Sequence, residues 1–82
     1  MNEQYSFDVK VGLNPGERTM WDMRHLVGYL YRNQFEIEGG KVSSKTGQFK
    51  FYLRGVLNLP QKISDTIKNS GLVRSVEITS VD

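Results

Sequence analysis

The segment from Gly47 to Gly55 limits the fold of this chain more than any other. Its apolar and polar positions alternate, with Phe49, Phe51 and Leu53 set against Gln48, Lys50 and Arg54. Successive side chains of a β-strand point to opposite faces, so an alternating run has one buried face and one wet face. The segment is therefore predicted to be a strand that lies against a hydrophobic core.

A second alternating segment comes near the N-terminus. Its residues form two sets, Tyr5, Phe7, Val9 and Val11 against Ser6, Asp8 and Lys10. This pattern predicts another strand with one inner and one outer face. Because these two strands have the richest apolar faces, we expect both in the middle of the sheet.

A helical pattern follows the turn cluster Gly12 to Gly16 and runs from Glu17 to Asn33. Apolar residues recur in it at three- and four-residue steps: Met20, Met23, Leu26, Val27, Leu30 and Tyr31. At about 100° per residue they form one wide stripe, which is predicted to face the sheet.

The opposite side of this helix carries Trp21, His25, Gly28, Tyr29 and Arg32. The single Trp of the chain is therefore predicted to be exposed. Trp and Tyr are favoured at interfaces, and a glycine permits close approach of a partner, so Trp21, His25, Gly28 and Tyr29 form a candidate partner surface. The alternative is that Trp21 folds back over the start of the helix near Pro15.

Phe35 and Ile37 begin a third strand, in which the alternation breaks before the next apolar residue, Val42. Glycine suits a bulge, so Gly39-Gly40 predicts an edge strand with one extra residue. The alternative is that Gly39-Gly40 forms a two-residue hairpin turn.

The remaining elements follow in order. Ser44 to Gly47 predicts a hairpin turn. A second helix is expected near Leu59-Pro60, with Asn58 as its cap, and it would bury Ile63 and Ile67 and end at Gly71. Leu72 to Ser80 is the last predicted strand, with Val76 and Ile78 inward and Arg74 out of phase.

The order strand, helix, strand, strand, helix, strand predicts the fold class. It is α+β, a ferredoxin-like βαββαβ sandwich in which a four-stranded antiparallel sheet has two helices on one face. The 82 residues are expected to form one domain, 1–82, without a linker.

Composition excludes several classes of protein. There are no cysteines, which removes disulfide scaffolds, thiolate metal sites and cysteine nucleophiles together. Asp22 and His25 could share a helix face, but two ligands do not make a metal site. No catalytic set is visible, so we expect no enzyme activity, no metal and no cofactor. No apolar run is long enough to span a bilayer, and the N-terminus lacks a signal-peptide pattern, so a cytoplasmic chain is expected.

RNA binding on the open face of the sheet is the alternative function. RNA-recognition domains share this topology and stack bases on strand aromatics. Here the alternation assigns Phe49 and Phe51 to the core, so a single-stranded RNA would contact the other face, at Lys10, Lys50, Tyr52 and Arg54. The net charge of +2, without a basic stripe, argues against this function.

The whole chain resembles ACT and ACT-like domains, through the Pro15-Gly16 turn and the final segment Val73 to Ile78. In that family the turn typically reads Asp-Arg-Pro-Gly-x-Leu; here Pro15 and Gly16 match, whereas the acid, the arginine and the leucine do not. The resemblance implies a regulatory or interaction domain that self-associates or binds another protein domain, with a possible small-molecule effector near Asn14, Gly16 and Glu17. The chain is also similar to the cytosolic C-terminal domain of MgtC-type membrane proteins, which implies a soluble tail with no membrane insertion of its own.

Overall fold

The structure is a computed structural model that describes residues 5–56 and 60–81. Its elements are β1 (Tyr5–Gly12), α1 (Thr19–Arg32), β2 (Ile37–Ser43), β3 (Gln48–Val56), α2 (Pro60–Lys68) and β4 (Ser75–Val81). The predicted element order is confirmed. The expected cap Asn58 and the side chain of Tyr5 lie outside the described residues.

The four strands form one antiparallel sheet in the order β2-β3-β1-β4. The two strands with the richest apolar faces are in the centre, as predicted. Val9 of β1 pairs with Phe51 of β3 on one side and with Ile78 of β4 on the other. This arrangement is the ferredoxin-like fold.

One face of the sheet carries the core. Its buried residues are Phe7, Val9, Val11, Leu13, Leu26, Leu30, Phe35, Phe49, Phe51, Leu53, Ile63 and Ile67. The rings of Phe49 and Phe51 lie 4.9 Å apart between centroids. The alternation of β1 and β3 therefore predicted the buried face correctly, and these phenylalanines are not available to stack on a ligand.

The core-facing side of α1 is narrower than the sequence predicted. Met20 and Tyr31 are 43% and 55% exposed, whereas Thr19 and Asp22 are buried. At 100° per residue Met20 and Tyr31 lie about 120° and 140° around the helix from Leu26, which places them beyond the contact with the sheet. The prediction that both belong to the core was wrong.

The predicted bulge in β2 is confirmed, and the hairpin alternative at Gly39-Gly40 is wrong. The pairing with β3 shifts between Glu38, which is opposite Tyr52, and Lys41, which is opposite Lys50. One extra residue of β2 is absorbed there. β2 forms one edge of the sheet, as expected.

The end of α2 and the start of β4 explain the out-of-phase Arg74. Gly71 follows α2 with a φ of 75°, a left-handed conformation that favours glycine. The strand begins only at Ser75, so Arg74 precedes it. Between residues 5 and 81, leaving out 57–59, no helix is long and apolar enough to cross a membrane.

Candidate interaction site

The turn between β1 and α1 uses its own polar groups to hold the fold together. The Gly16 N–H donates to the Ser44 carbonyl oxygen at 2.8 Å, and the Thr19 hydroxyl donates to the Asn14 carbonyl oxygen at 2.7 Å. Asn14, Gly16 and Glu17 are all exposed. The backbone N–H of Gly16, which would be a natural donor to a ligand here, is thus engaged with the β2–β3 hairpin.

Trp21 is the most exposed large hydrophobic side chain in the described chain, at 65%. The centroid of its ring lies 5.1 Å from the centroid of the His25 ring, one helical turn further on, and the two ring planes are tilted by 49°. The predicted exposure is confirmed, and Trp21 does not fold back to cover the start of the helix. Trp21 and His25 together present an aromatic pair to solvent.

A groove runs beside this pair along the outer side of α1. It consists of two adjoining depressions of about 460 and 600 Å³, which share Trp21, His25 and Leu72. We call it the α1 groove; it is lined by Glu17, Arg18, Trp21, Asp22, Arg24, His25, Gly28, Tyr29, Arg32, Ser70 and Leu72.

Two residues of the predicted partner surface, Gly28 and Tyr29, line the α1 groove but are less exposed than expected. Tyr29 was expected opposite the core, but it is half-buried and packs against the edge of the core, and Gly28 is half-buried too. On the far side of the groove, Ser70 and Leu72 come from the segment after α2. Sequence reasoning had placed Leu72 in the last strand, and no local pattern links it to a helix about 50 residues earlier.

The α1 groove is basic. Arg18, Arg24 and Arg32 are all exposed along it. The two salt bridges found among residues 5–56 and 60–81 both lie on the sheet and involve none of these arginines. Of the two acidic residues that line the groove, Glu17 is exposed at one end and Asp22 is buried.

Asp22 and His25 do not form a metal site with a third residue of the described chain. No three His, Asp or Glu side chains of residues 5–56 and 60–81 cluster closely enough to hold a metal ion. Asp22 faces inward at 9% exposure, whereas His25 faces solvent beside Trp21.

The face of the sheet opposite the core brings together the four residues expected there, Lys10, Lys50, Tyr52 and Arg54. Two of the cations are engaged in ion pairs, Lys10 with Glu77 at 3.5 Å and Arg54 with Glu38 at 3.0 Å. The hydrogen bond from Arg54 to Glu38, and then the charge of that carboxylate, raise the pKa of Arg54 above its usual value. Arg54 is thus always positively charged, and it is already paired with the Glu38 carboxylate.

The fold and these surfaces define a small ferredoxin-like domain whose most distinctive feature is an exposed aromatic and basic helix face. No protein-family profile matches the chain, and no curated protein matches it.

The solved structures that are similar to the domain include two small domains. One is the P2 domain of the chemotaxis kinase CheA, in complex with the response regulator CheY, from Thermotoga maritima; the TM-score is 0.75 at 15% identity over 96% of this chain and 100% of that one. The other is the C-terminal domain of the MgtC protein from Mycobacterium tuberculosis, with a TM-score of 0.63 at 15% identity over 95% of this chain and 88% of that one. The predicted similarity to MgtC C-terminal domains is confirmed at the level of the fold.

Proposed function

We propose that this chain is a non-catalytic interaction domain that binds an acidic region of another protein along the α1 groove. The observation that carries the proposal is the 65% exposure of Trp21. Trp, Tyr and Arg are the residues most enriched where binding energy concentrates in protein interfaces. All three types line this one groove.

The charge of the groove indicates the chemistry of the partner. Arg24 and Arg32 lie on α1 and Arg18 at its N-cap, and the structure gives none of the three a salt bridge with a described carboxylate. A guanidinium group binds carboxylates through two parallel hydrogen bonds and also stacks on aromatic rings. A partner with carboxylates and an apolar or aromatic side chain would therefore complement the groove.

A second copy of this chain fits the groove less well. In a two-fold dimer the same patch meets itself, and each groove brings three exposed arginines but only one exposed carboxylate, Glu17, so arginines of the two copies would be left near one another without partners. Like charges brought together at an interface oppose association. The charge of the groove therefore favours a different protein over the self-association that the sequence suggested.

The comparison with the CheA P2 domain supports the proposal by analogy of fold. That domain was solved bound to a second protein, the response regulator CheY. A fold alone does not determine function, so the α1 groove of this chain carries the proposal. A small-molecule effector at Asn14, Gly16 and Glu17 has less support, because the Gly16 N–H is already bonded to Ser44.

Peptide titration of the ¹⁵N-labelled domain tests the proposal. The probes are short peptides that contain one aromatic residue and several Glu residues, and the same peptides with Lys in place of Glu. We expect only the acidic set to bind, to shift the amide signals of α1 and Leu72, and to change the fluorescence of Trp21. The double variant Arg24→Glu/Arg32→Glu should weaken binding at least tenfold, or about 1.4 kcal/mol.

A matched control makes the same charge change elsewhere. Lys45 and Lys62 are exposed, on the hairpin turn and on α2, so Lys45→Glu/Lys62→Glu should leave the affinity within about twofold. Equal weakening by both double variants would show a nonspecific charge effect and contradict the proposal. So would sedimentation that detects a dimer which Arg24→Glu/Arg32→Glu dissociates, because the groove would then be occupied by a second copy.

A further inference from the structure

Three lysines lie side by side on the open face of the sheet. Lys50 of β3 is directly opposite Lys41 of β2 on one side and Lys10 of β1 on the other. We call these three the lysine row. Like charges directly opposite each other destabilise a sheet, and here one lysine is flanked by two others. Within the described part of the chain, Lys10 is the one member of the row that has a salt bridge, to Glu77 at the end of the row.

The next row across the same face carries carboxylate and hydroxyl oxygens in place of ammonium groups. It contains Glu38, Tyr52, Asp8 and Thr79, whose register pairs run from β2 to β4. We call it the acceptor row. Glu38 is engaged by Arg54, whereas Asp8 has no salt bridge with a described residue and is exposed. The face thus offers ammonium groups and, beside them, carboxylate and hydroxyl oxygens.

The bulge of β2 opens space above these two rows. Gly39 leaves this space open, because a Cβ there would meet nothing within 4 Å, and a depression of about 460 Å³ lies beside it. That volume is within the range of sites that take small molecules, about 300–1,000 Å³. The depression is lined by residues of all four strands, and these include both the lysine row and the acceptor row.

We infer that this depression binds a small ligand that has one phosphate group and a ring with hydroxyl or amino groups, such as a nucleoside monophosphate. The phosphate would lie on the lysine row, where its charge relieves the repulsion around Lys50. The ring would lie beside Tyr52, and its hydroxyl or amino groups would donate to Asp8.

The charges of the depression favour such a ligand over a nucleic-acid strand. The depression is lined by the three lysines and also by three carboxylates, those of Asp8, Glu38 and Glu77. A single phosphate is accommodated by the lysine row alone. A strand that crosses the sheet would bring further phosphates towards Asp8 and Glu38, and that like-charge contact opposes binding.

Titration of the labelled domain at low salt tests this site with four probes: adenosine monophosphate, adenosine, inorganic phosphate and an eight-residue oligothymidylate. We expect adenosine monophosphate to bind at least tenfold more tightly than adenosine or phosphate alone, and to shift the amide signals of Lys10, Lys41, Lys50 and Tyr52. Lys50→Gln should weaken this binding at least fivefold.

The matched control is Lys62→Gln, which removes one exposed lysine from α2 and should leave the affinity unchanged. Lys50 is exposed, so Lys50→Gln is expected to fold, and its melting curve is recorded beside that of the wild type. Equal affinity of the two variants, or no shift on this face with adenosine monophosphate, would overturn the inference. Tighter binding of the oligothymidylate than of the mononucleotide, at the same amides, would overturn it in favour of a nucleic-acid surface.

Discussion

Gly47 lies in the β2–β3 hairpin, where that hairpin packs against the turn between β1 and α1. A side chain at this position would disturb the packing. The φ of Gly47 is 74°, in the left-handed region. Its carbonyl oxygen accepts the Leu13 N–H at 2.6 Å. A Cβ placed on Gly47 would collide with the carbonyl oxygen of Leu13 and lie 3.0 Å from the backbone nitrogen of Pro15. We therefore predict that Gly47→Ala strongly destabilises the domain.

The magnitude follows from two contributions. The left-handed conformation costs a non-glycine residue about 1–2 kcal/mol. Because the collision is with backbone, the hairpin must move away from Leu13, and loss of that hydrogen bond costs about 1 kcal/mol more. Gly47→Ala should thus lower the free energy of unfolding by about 2–3 kcal/mol, a large part of the 5–15 kcal/mol typical of a domain.

Two other glycines supply matched controls for the same substitution. Gly71 has nearly the same φ, 75°, but a Cβ there meets nothing within 4 Å, so Gly71→Ala should show the conformational cost alone. Gly28 is inside α1 with equally open space, so Gly28→Ala should stabilise the domain by about 0.5–1 kcal/mol.

Urea denaturation followed by circular dichroism measures all three variants, with stability read from the midpoint at an unchanged slope. The reasoning is refuted if Gly47→Ala costs no more than Gly71→Ala, or if Gly28→Ala destabilises the domain.

Two further predictions concern stability. Leu53 is fully buried at the centre of β3, so Leu53→Ala should lower the free energy of unfolding by about 2–5 kcal/mol; a cost below 1 kcal/mol in the same urea assay would show that this part of the core is loosely packed. Gln34 has a φ of 68° just after α1. Gln34→Gly should relieve this backbone strain, raise the free energy of unfolding by up to about 1 kcal/mol and therefore raise the melting temperature. A lower melting temperature would show that the side chain of Gln34 contributes more than its backbone strain costs.

Local patterns predicted much of the fold and one part of the candidate site. Alternation assigned Phe49 and Phe51 to the core, and the parity break at Gly39-Gly40 located the bulge, because both signals depend only on the two-residue period of a strand. The exposure of Trp21 followed from helical periodicity in the same way. Periodicity does not say how wide the contact between helix and sheet is, and for that reason Met20 and Tyr31 were assigned to the core wrongly.

The order of elements, the inner faces of the two central strands and the exposure of Trp21 were determined by the sequence alone, since each depends on residues close together in the chain. Only the tertiary structure decided which distant residues meet. Strand register set Lys10, Lys41 and Lys50 in one row, and the path of the chain after α2 brought Leu72 to the groove beside Trp21. Contacts across the sheet and between helices depend on register and packing, and neither leaves a local pattern in the sequence.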